Sequence, residues 1–122
     1  MKVLVYRMGG LGDSLMVYPV LEILSKKKYE VTVWGNSEYF MLAKITKLCK
    51  NVTFYEPKES FDLSIIFSAY KEKIFENTKK TIYINPIPNE KIWVVNYYLK
   101  ELNLTNESFS TTLNPGFTVI RN

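Results

Sequence analysis

A glycine-rich turn constrains the fold of this 122-residue chain more than any other stretch. The β-branched apolar run Lys2–Arg7 predicts a strand, and three glycines follow between Gly9 and Gly12. From Ser14 onward apolar residues recur at helical spacing, so the pattern predicts a strand, a tight turn and a helix. Glycines let a backbone approach a ligand closely, and the first turn of a helix offers unpaired N–H groups. The turn is therefore a candidate site for an anion such as a phosphate.

Two common phosphate-binding motifs do not match this turn. The dinucleotide fingerprint needs G-x-G-x-x-G and an acidic residue about 20 positions later. Counted from Gly10, the third glycine is replaced by Leu15, and the second predicted strand ends at Trp34-Gly35-Asn36 without an acid. The P-loop fails as well, because no Gly-Lys-Ser/Thr follows. A nucleotide-binding Rossmann domain of another kind is thus a disfavoured third hypothesis.

The stretch 7–15, R-M-G-G-L-G-D-S-L, is followed by Y-P-V-L at 18–21. Together they resemble the N-terminal signature of the family 9 glycosyltransferases, the heptosyltransferases of lipopolysaccharide core assembly and their relatives. The signature combines R-x-G-x-x-G-D with a proline six residues after the acid, here Pro19. The resemblance implies a metal-independent inverting transfer from a nucleotide-sugar such as ADP-heptose. It also implies the GT-B arrangement, in which two Rossmann-like domains face each other across a cleft.

The resemblance gives Asp13 the role of general base, which draws the proton from the acceptor hydroxyl as that oxygen attacks the anomeric carbon. A helix N-terminus favours the ionised form of a carboxyl group, which suits this role. The structural alternative is that Asp13 caps the helix, since Asp is a preferred capping residue. The two roles are not exclusive. Arg7 is interpreted either as a solvated charge at the strand end or as a group near phosphate.

The acceptor side of the predicted site has a second part, after the fourth strand. Related enzymes commonly carry Asp-x-Gln-Gly there, followed by a basic residue, whereas this chain has Ile-Phe-Ser-Ala at 66–69. The acid and the amide are absent, and the lysines that follow either meet an acceptor phosphate or lie on a solvated helix face. The candidate acceptor- or phosphate-binding residues are Arg7, Gly9, Gly10, Leu11, Gly12, Ser14, Lys71 and Lys73.

Alternating strand and helix patterns predict an α/β fold, a Rossmann-like parallel sheet with helices on both faces, resembling the N-terminal domain of a GT-B glycosyltransferase. In such sheets, ligands bind at the carboxyl ends of the strands near the switch in strand order. The turn Gly9–Asp13 and the segment after Phe67 are both expected at that edge. The predicted strands are 2–7, 30–34, 52–55, 63–67 and 81–84, and the predicted helices are 14–27 with a kink at Pro19, 38–48, 70–77 and 90–102.

Composition narrows the functional classes. The chain has no histidine, so His-based metal sites and Ser-His-Asp triads are excluded, and its single cysteine, Cys49, excludes an intrachain disulfide and fits a reducing compartment. The net charge of +4 suits an anionic lipid or a phosphorylated substrate, and no nucleic-acid motif is present. The expected location is cytoplasmic, or peripheral at the inner membrane.

These observations leave two main hypotheses. In the first, residues 1–110 form the acceptor-binding, base-carrying half of a glycosyltransferase, and residues 111–122 are a linker or the start of the donor-binding domain. The acceptor would be a glycan or a lipid-linked glycan, and the donor would bind to another domain or a partner chain. The chain alone is then expected to show negligible transfer activity. In the second, the chain is a noncatalytic module that holds a phosphorylated glycan or a lipid surface.

Overall fold

The computed structural model describes residues 1–68 and 74–85, which form a parallel sheet with helices between the strands. Strands and helices alternate along the first part of this range, as the sequence pattern predicts. The elements are β1 (Lys2–Arg7), α1 (Leu11–Leu15), α2 (Tyr18–Lys26), β2 (Glu30–Gly35), α3 (Ser37–Ile45), β3 (Asn51–Thr53), β4 (Phe61–Phe67) and β5 (Thr78–Ile84).

The five strands are hydrogen-bonded in the order β3-β2-β1-β4-β5, and every pairing is parallel. The chain builds outward from β1 through β2 to β3, then returns to the other side of β1 for β4 and β5. The strand order therefore switches between β1 and β4, where Val5 pairs with Ile65. This arrangement confirms the Rossmann-like α/β fold. The turn after β1 and the end of β4 lie at the switch point, at the carboxyl edge of the sheet.

The main core lies on one face of the sheet. Because successive strand residues point to opposite faces, Val3 and Val5 of β1 and Val33 of β2 share this face, and all three are fully buried. The described helices α1, α2 and α3 all pack on it. Their buried contributions include Ser14, Val20, Leu21, Ile23, Phe40 and Ala43. Each fully buried Val, Leu or Ile side chain stabilises the fold by about 1.5–3 kcal/mol.

The opposite face carries a second, aromatic cluster. Leu4 is fully buried there with Phe61 and Phe75, and Trp34 packs against them. Tyr6 meets Trp34 edge to face, with ring centroids 4.7 Å apart, as their pairing on neighbouring strands requires. Both faces of β1 are thus covered, which fixes the position of the turn that follows it.

The predicted single helix over residues 14–27 is wrong, because two helices occupy this stretch. α1 begins three residues earlier than predicted, at Leu11, and the helical conformation is interrupted between Leu15 and Tyr18. The amide of Val17 bonds to the carbonyl of Ser14 at 3.1 Å, which tightens the end of α1. Pro19 then lies in the first turn of α2, where a missing N–H leaves no helical bond unmade. The predicted kink is a full break.

α2 and α3 end in the same way, each with a lysine in the left-handed backbone region. Lys28 has φ 65° and Lys47 has φ 62°. In both cases the lysine amide and the next amide bond back to the helix, as in a Schellman motif. The Lys28 N–H reaches the Ser25 carbonyl at 2.9 Å, and the Leu48 N–H reaches the Ala43 carbonyl at 2.8 Å. Glycine is the usual residue at this position.

Several other predicted bounds shift. α3 ends at Ile45 rather than at residue 48, and β5 begins at Thr78 rather than at residue 81. Of the predicted helix 70–77, residues 74–77 are not helical and the remainder lies outside the described residues. The predicted helix 90–102 and the segment 111–122 also lie outside them. Within residues 1–68 and 74–85, no helix is both long enough and apolar enough to cross a bilayer.

Candidate functional site

The turn after β1 is built around the backbone of Gly10. This residue is the N-cap of α1, with φ −79° and ψ −174°, and its carbonyl accepts bonds from the Ser14 amide at 3.1 Å and the Ser14 hydroxyl at 2.9 Å. Asp13 is therefore the third residue of the helix. The interpretation of Asp13 as the N-cap is wrong, because the helix starts earlier than its apolar periodicity indicates.

Asp13 forms an ion pair with Arg7 across the turn. The distance from Arg7 Nη2 to Asp13 Oδ1 is 3.1 Å. The two partners differ in exposure, since the Arg7 side chain is 13% exposed and that of Asp13 is 57% exposed. Arg7 also donates from Nη1 to the carbonyl of Met8 at 3.3 Å, and its buried Nε has no hydrogen-bond partner among the residues that the structure describes. A largely buried guanidinium thus holds an exposed carboxylate in place.

The glycines of the turn fall into two kinds. Gly9 has φ 142°, and a Cβ built on it would lie 2.8 Å from Asp13 Oδ2, so both the backbone and the carboxylate require glycine. Gly10 and Gly12 have neither constraint, because a Cβ on either would meet nothing within 4 Å. The space beside these two residues is open. Nothing within the described part of the chain explains why a side chain is absent there.

The remaining predicted site residues are divided between surface and core. Leu11 is exposed beside the open space. Ser14 is fully buried, and its hydroxyl serves the turn through the bond to Gly10, which gives it a structural role in this structure. Lys71 and Lys73 lie outside the described residues.

Gly35 is a positioning residue that sequence reasoning treated only as part of a turn. It ends β2 and pairs with Arg7 at the end of β1. A Cβ on Gly35 would lie 2.5 Å from the Arg7 carbonyl oxygen and 2.8 Å from the ring of Phe40. Gly35 therefore allows α3 to pack closely against the strand end that carries Arg7. A glycine at the last position of a strand was the signal available in the sequence.

Cavities elsewhere do not include Asp13. Three cavities of about 340, 490 and 370 Å³ lie toward the amino ends of the strands and are lined by other residues. Within residues 1–68 and 74–85, the Asp13 carboxylate thus lies exposed at the carboxyl edge of the sheet and outside these three cavities. A substrate bound there would need a second surface to enclose it.

The chemistry of the turn follows from this geometry. An exposed carboxylate fixed by an ion pair can accept a proton or a hydrogen bond from a hydroxyl group. α1 has only five residues, so its dipole adds less for an anion than the predicted longer helix would have. Among residues 1–68 and 74–85, no group of three His, Cys, Asp or Glu side chains is arranged to hold a metal ion.

Cys49 is a core residue, as its apolar sequence context predicts. Its side chain is buried, and burial raises the pKa of its thiol to about 11. The thiolate is the nucleophilic form of cysteine, so this residue is unsuited to covalent catalysis at neutral pH.

The fold and the turn define a Rossmann-like α/β domain with an exposed carboxylate at the switch point of its sheet. Compared with models of protein families, with characterised proteins and with solved structures, the chain matches none of them.

Proposed function

We propose that this chain is the acceptor-binding, base-carrying half of an inverting glycosyltransferase of the heptosyltransferase-like kind. Asp13 takes the proton from an acceptor hydroxyl while that oxygen attacks the anomeric carbon of a nucleotide-sugar such as ADP-heptose. The bond from this carbon to the phosphate oxygen breaks, and the nucleoside diphosphate leaves with its electron pair. The donor is held by another domain or a partner chain. The acceptor is a glycan or a lipid-linked glycan, and the reaction takes place in the cytoplasm or at the inner membrane.

The observation that carries the proposal is the fixed, exposed carboxylate at the switch point. Asp13 is 57% exposed although its partner Arg7 is nearly buried, so the ion pair holds the carboxylate in position without covering it. A purely structural ion pair gives no reason for the open space beside Gly10 and Gly12. An acceptor sugar approaching the backbone at this turn would use that space.

The open edge also favours a catalytic site that is shared with a second body. Transfer requires that hydroxyl and anomeric carbon be held together, and the Asp13 edge provides one wall of such a site. In the proposed enzyme, the donor-binding body provides the other wall. This is why the proposal assigns the base and the acceptor to this chain and the donor to a facing domain.

The test is transfer by this chain together with the polypeptide encoded next to it. Asp13→Asn should reduce the transfer rate by about 100-fold or more, the range for loss of a general base, while acceptor binding stays nearly unchanged. Glu38→Gln is the matched control, because Glu38 is also an exposed acid in the first turn of a helix at this edge. If acceptor binds but no transfer occurs with any nucleotide-sugar, the chain is a noncatalytic glycan-binding module. Full activity of Asp13→Asn would refute the role of this residue.

A further inference from the structure

The loops after α2 and α3 bring lysines together at the amino ends of β2 and β3. Residues 22–30 and 44–50 contain six lysines and two glutamates, an excess of four positive charges that equals the net charge of the whole chain. Glu22 pairs with Lys26 at 3.6 Å and Glu30 pairs with Lys50 at 2.8 Å. We call this surface the lysine edge; its lysines are Lys26, Lys27, Lys28, Lys44, Lys47 and Lys50.

An open cavity of about 340 Å³ lies within the lysine edge. Lys44, Lys47 and Lys50 line it, together with Ser25 and Tyr29. Lys50 is paired with Glu30, whereas Lys44 and Lys47 form no ion pair within the described part of the chain. The cavity is therefore cationic, and its volume is well above that of a single water molecule.

Lys28 and Lys47 occupy backbone positions where glycine would be less strained. Both have φ above 60° at the end of a helix. Position and conformation favour glycine there, so the lysines are not explained by the fold of the turn alone. They point to a use for positive charge at this edge.

The outer face of α3, next to the lysine edge, is apolar. Phe40 and Ala43 bury the inner face of this helix. The outward positions Met41, Leu42 and Ile45 are exposed, and Ile45 is 70% exposed. A surface helix normally carries polar residues on this side. Ile45 lies next to Lys44 and two residues before Lys47 in the sequence, so exposed apolar and cationic residues are neighbours at the end of α3.

We propose that the lysine edge and the outer face of α3 dock onto a bilayer that contains anionic phospholipid. Apolar side chains flanked by lysines are the combination that binds at a membrane interface, with insertion and headgroup attraction adding together. A soluble phosphate would use the cavity lysines and leave the apolar face unexplained. A second copy of the chain, related by two-fold symmetry, would oppose one lysine edge to the other and be repelled.

Docking at this surface leaves the candidate site accessible. The lysine edge lies at the amino ends of the strands and Asp13 at the carboxyl edge, about 20 Å away for six-residue strands. This inference stands independently of the proposed transferase function. It depends only on the positive charge of the lysine edge and on the exposed apolar residues of α3.

The test is binding of the full chain to vesicles of phosphatidylcholine alone and of phosphatidylcholine with phosphatidylglycerol. We expect binding only to the anionic vesicles, weakening as salt is raised. Lys44→Gln combined with Lys47→Asn should weaken the vesicle partition coefficient by about 25-fold, or about fivefold per lysine. Ile45→Ser should weaken it by about tenfold, through lost insertion of the apolar side chain.

Two control variants separate a local surface from diffuse charge. Lys58→Gln combined with Lys80→Gln removes the same charge from exposed positions elsewhere, and Tyr55→Ser removes an exposed aromatic residue at the other end of β3. Both should bind vesicles almost as the parent chain does. Lys28→Gly combined with Lys47→Gly removes two charges from the lysine edge and relieves backbone strain at the same time. Because this variant should be at least as stable as the parent chain, weaker vesicle binding by it would not reflect misfolding.

Several results would overturn the proposal. If Lys58→Gln with Lys80→Gln weakened vesicle binding as much as Lys44→Gln with Lys47→Asn does, the attraction would be diffuse rather than local. No binding to anionic vesicles, or dimerisation in solution that buries α3, would exclude a membrane surface. Binding to an oligonucleotide that competes fully with the vesicles, and that is insensitive to Ile45→Ser, would assign the lysines to nucleic acid instead.

Discussion

At the scale of single residues, alanine at position 12 should stabilise the fold, whereas the proposed function favours glycine there. Gly12 lies inside α1, where alanine is the better helix former by about 1 kcal/mol, and a Cβ there would meet nothing within 4 Å. We therefore expect Gly12→Ala to raise the free energy of unfolding by up to about 1 kcal/mol. If the open space receives an acceptor, the same variant should bind acceptor less well.

Gly9 provides the contrasting variant. Its φ of 142° and the 2.8 Å separation between a built Cβ and Asp13 Oδ2 make alanine unfavourable there. Gly9→Ala should lower the free energy of unfolding by about 1–3 kcal/mol, the usual cost of a strained backbone. Urea unfolding of both variants measures the difference. Equal effects of Gly9→Ala and Gly12→Ala would contradict the distinction between the two glycines.

Cys49 gives a prediction about reactivity. Because burial raises the pKa of its thiol to about 11, the thiolate is scarce at neutral pH and the sulfur is covered as well. Modification by a thiol reagent at pH 8 should be slow in the native protein and fast in denaturant. Labelling of the native chain at the rate of a free peptide thiol would mean that the core around Cys49 is open.

At the scale of the element, the helix ends can be tested directly. A left-handed non-glycine residue costs about 1–2 kcal/mol, while the favourable interaction of a lysine with the helix dipole recovers about 0.3–1 kcal/mol. Lys28→Gly and Lys47→Gly should each stabilise the protein by about 0.5–1 kcal/mol. Lys44→Gly is the matched control, since it places glycine inside α3 and should destabilise by about 1 kcal/mol. Thermal unfolding midpoints should move in opposite directions.

The break between α1 and α2 shows that the start of a helix can depend on its contacts with another helix. Apolar periodicity continues through residues 15–24, which is why a single helix was predicted. In the structure, Pro19 restarts the helix, and the Tyr18 hydroxyl donates to the Tyr39 carbonyl at 2.7 Å while its ring stacks on Phe40. These contacts with α3 fix the direction of α2 independently of α1. Periodicity alone cannot show where such an anchor will divide a helix.

At the scale of the whole molecule, Asp62 joins three neighbouring strands at the amino edge. Its Oδ2 accepts the backbone N–H of Lys2 in β1 at 2.8 Å, and its Oδ1 pairs with Lys79 in β5 at 3.3 Å. The hydrogen bond from the Lys2 N–H has the largest effect and lowers the pKa of the Asp62 carboxyl group. The hydrogen bond from the Lys79 side chain lowers this pKa further. A lowered folded pKa stabilises the protein above the unfolded pKa, and this contribution is lost as the pH falls through the folded value.

Asp62→Asn should therefore lower the free energy of unfolding at pH 7, and this difference should shrink as the pH is lowered into the acid range and the carboxyl group of the parent takes up its proton. Unfolding by urea across this pH range measures the difference. Glu56→Gln is the control, because Glu56 is exposed and has no ion pair within the described residues. A constant difference between Asp62→Asn and the parent at every pH would show that the effect is not electrostatic.

The switch point was predicted from the order of elements, because right-handed crossovers leave few topologies for a chain of this pattern. The ion pair between Arg7 and Asp13 was not predicted. The sequence places the two residues in one motif but does not say that they touch. The close packing of Gly35 against Arg7 was also missed, since it depends on where Phe40 of α3 comes to rest.

The sequence by itself determined the parallel α/β sheet, the glycine turn at its carboxyl edge and the placement of Asp13 in that turn, because these depend on local periodicity and chain connectivity. Only the tertiary structure decided that Asp13 is held by Arg7 yet exposed, that α1 and α2 are separate, and that residues following α2 and α3 line one cavity. Those features depend on contacts between residues of different elements. Their distances are set by packing of the sheet and helices, which no local pattern encodes.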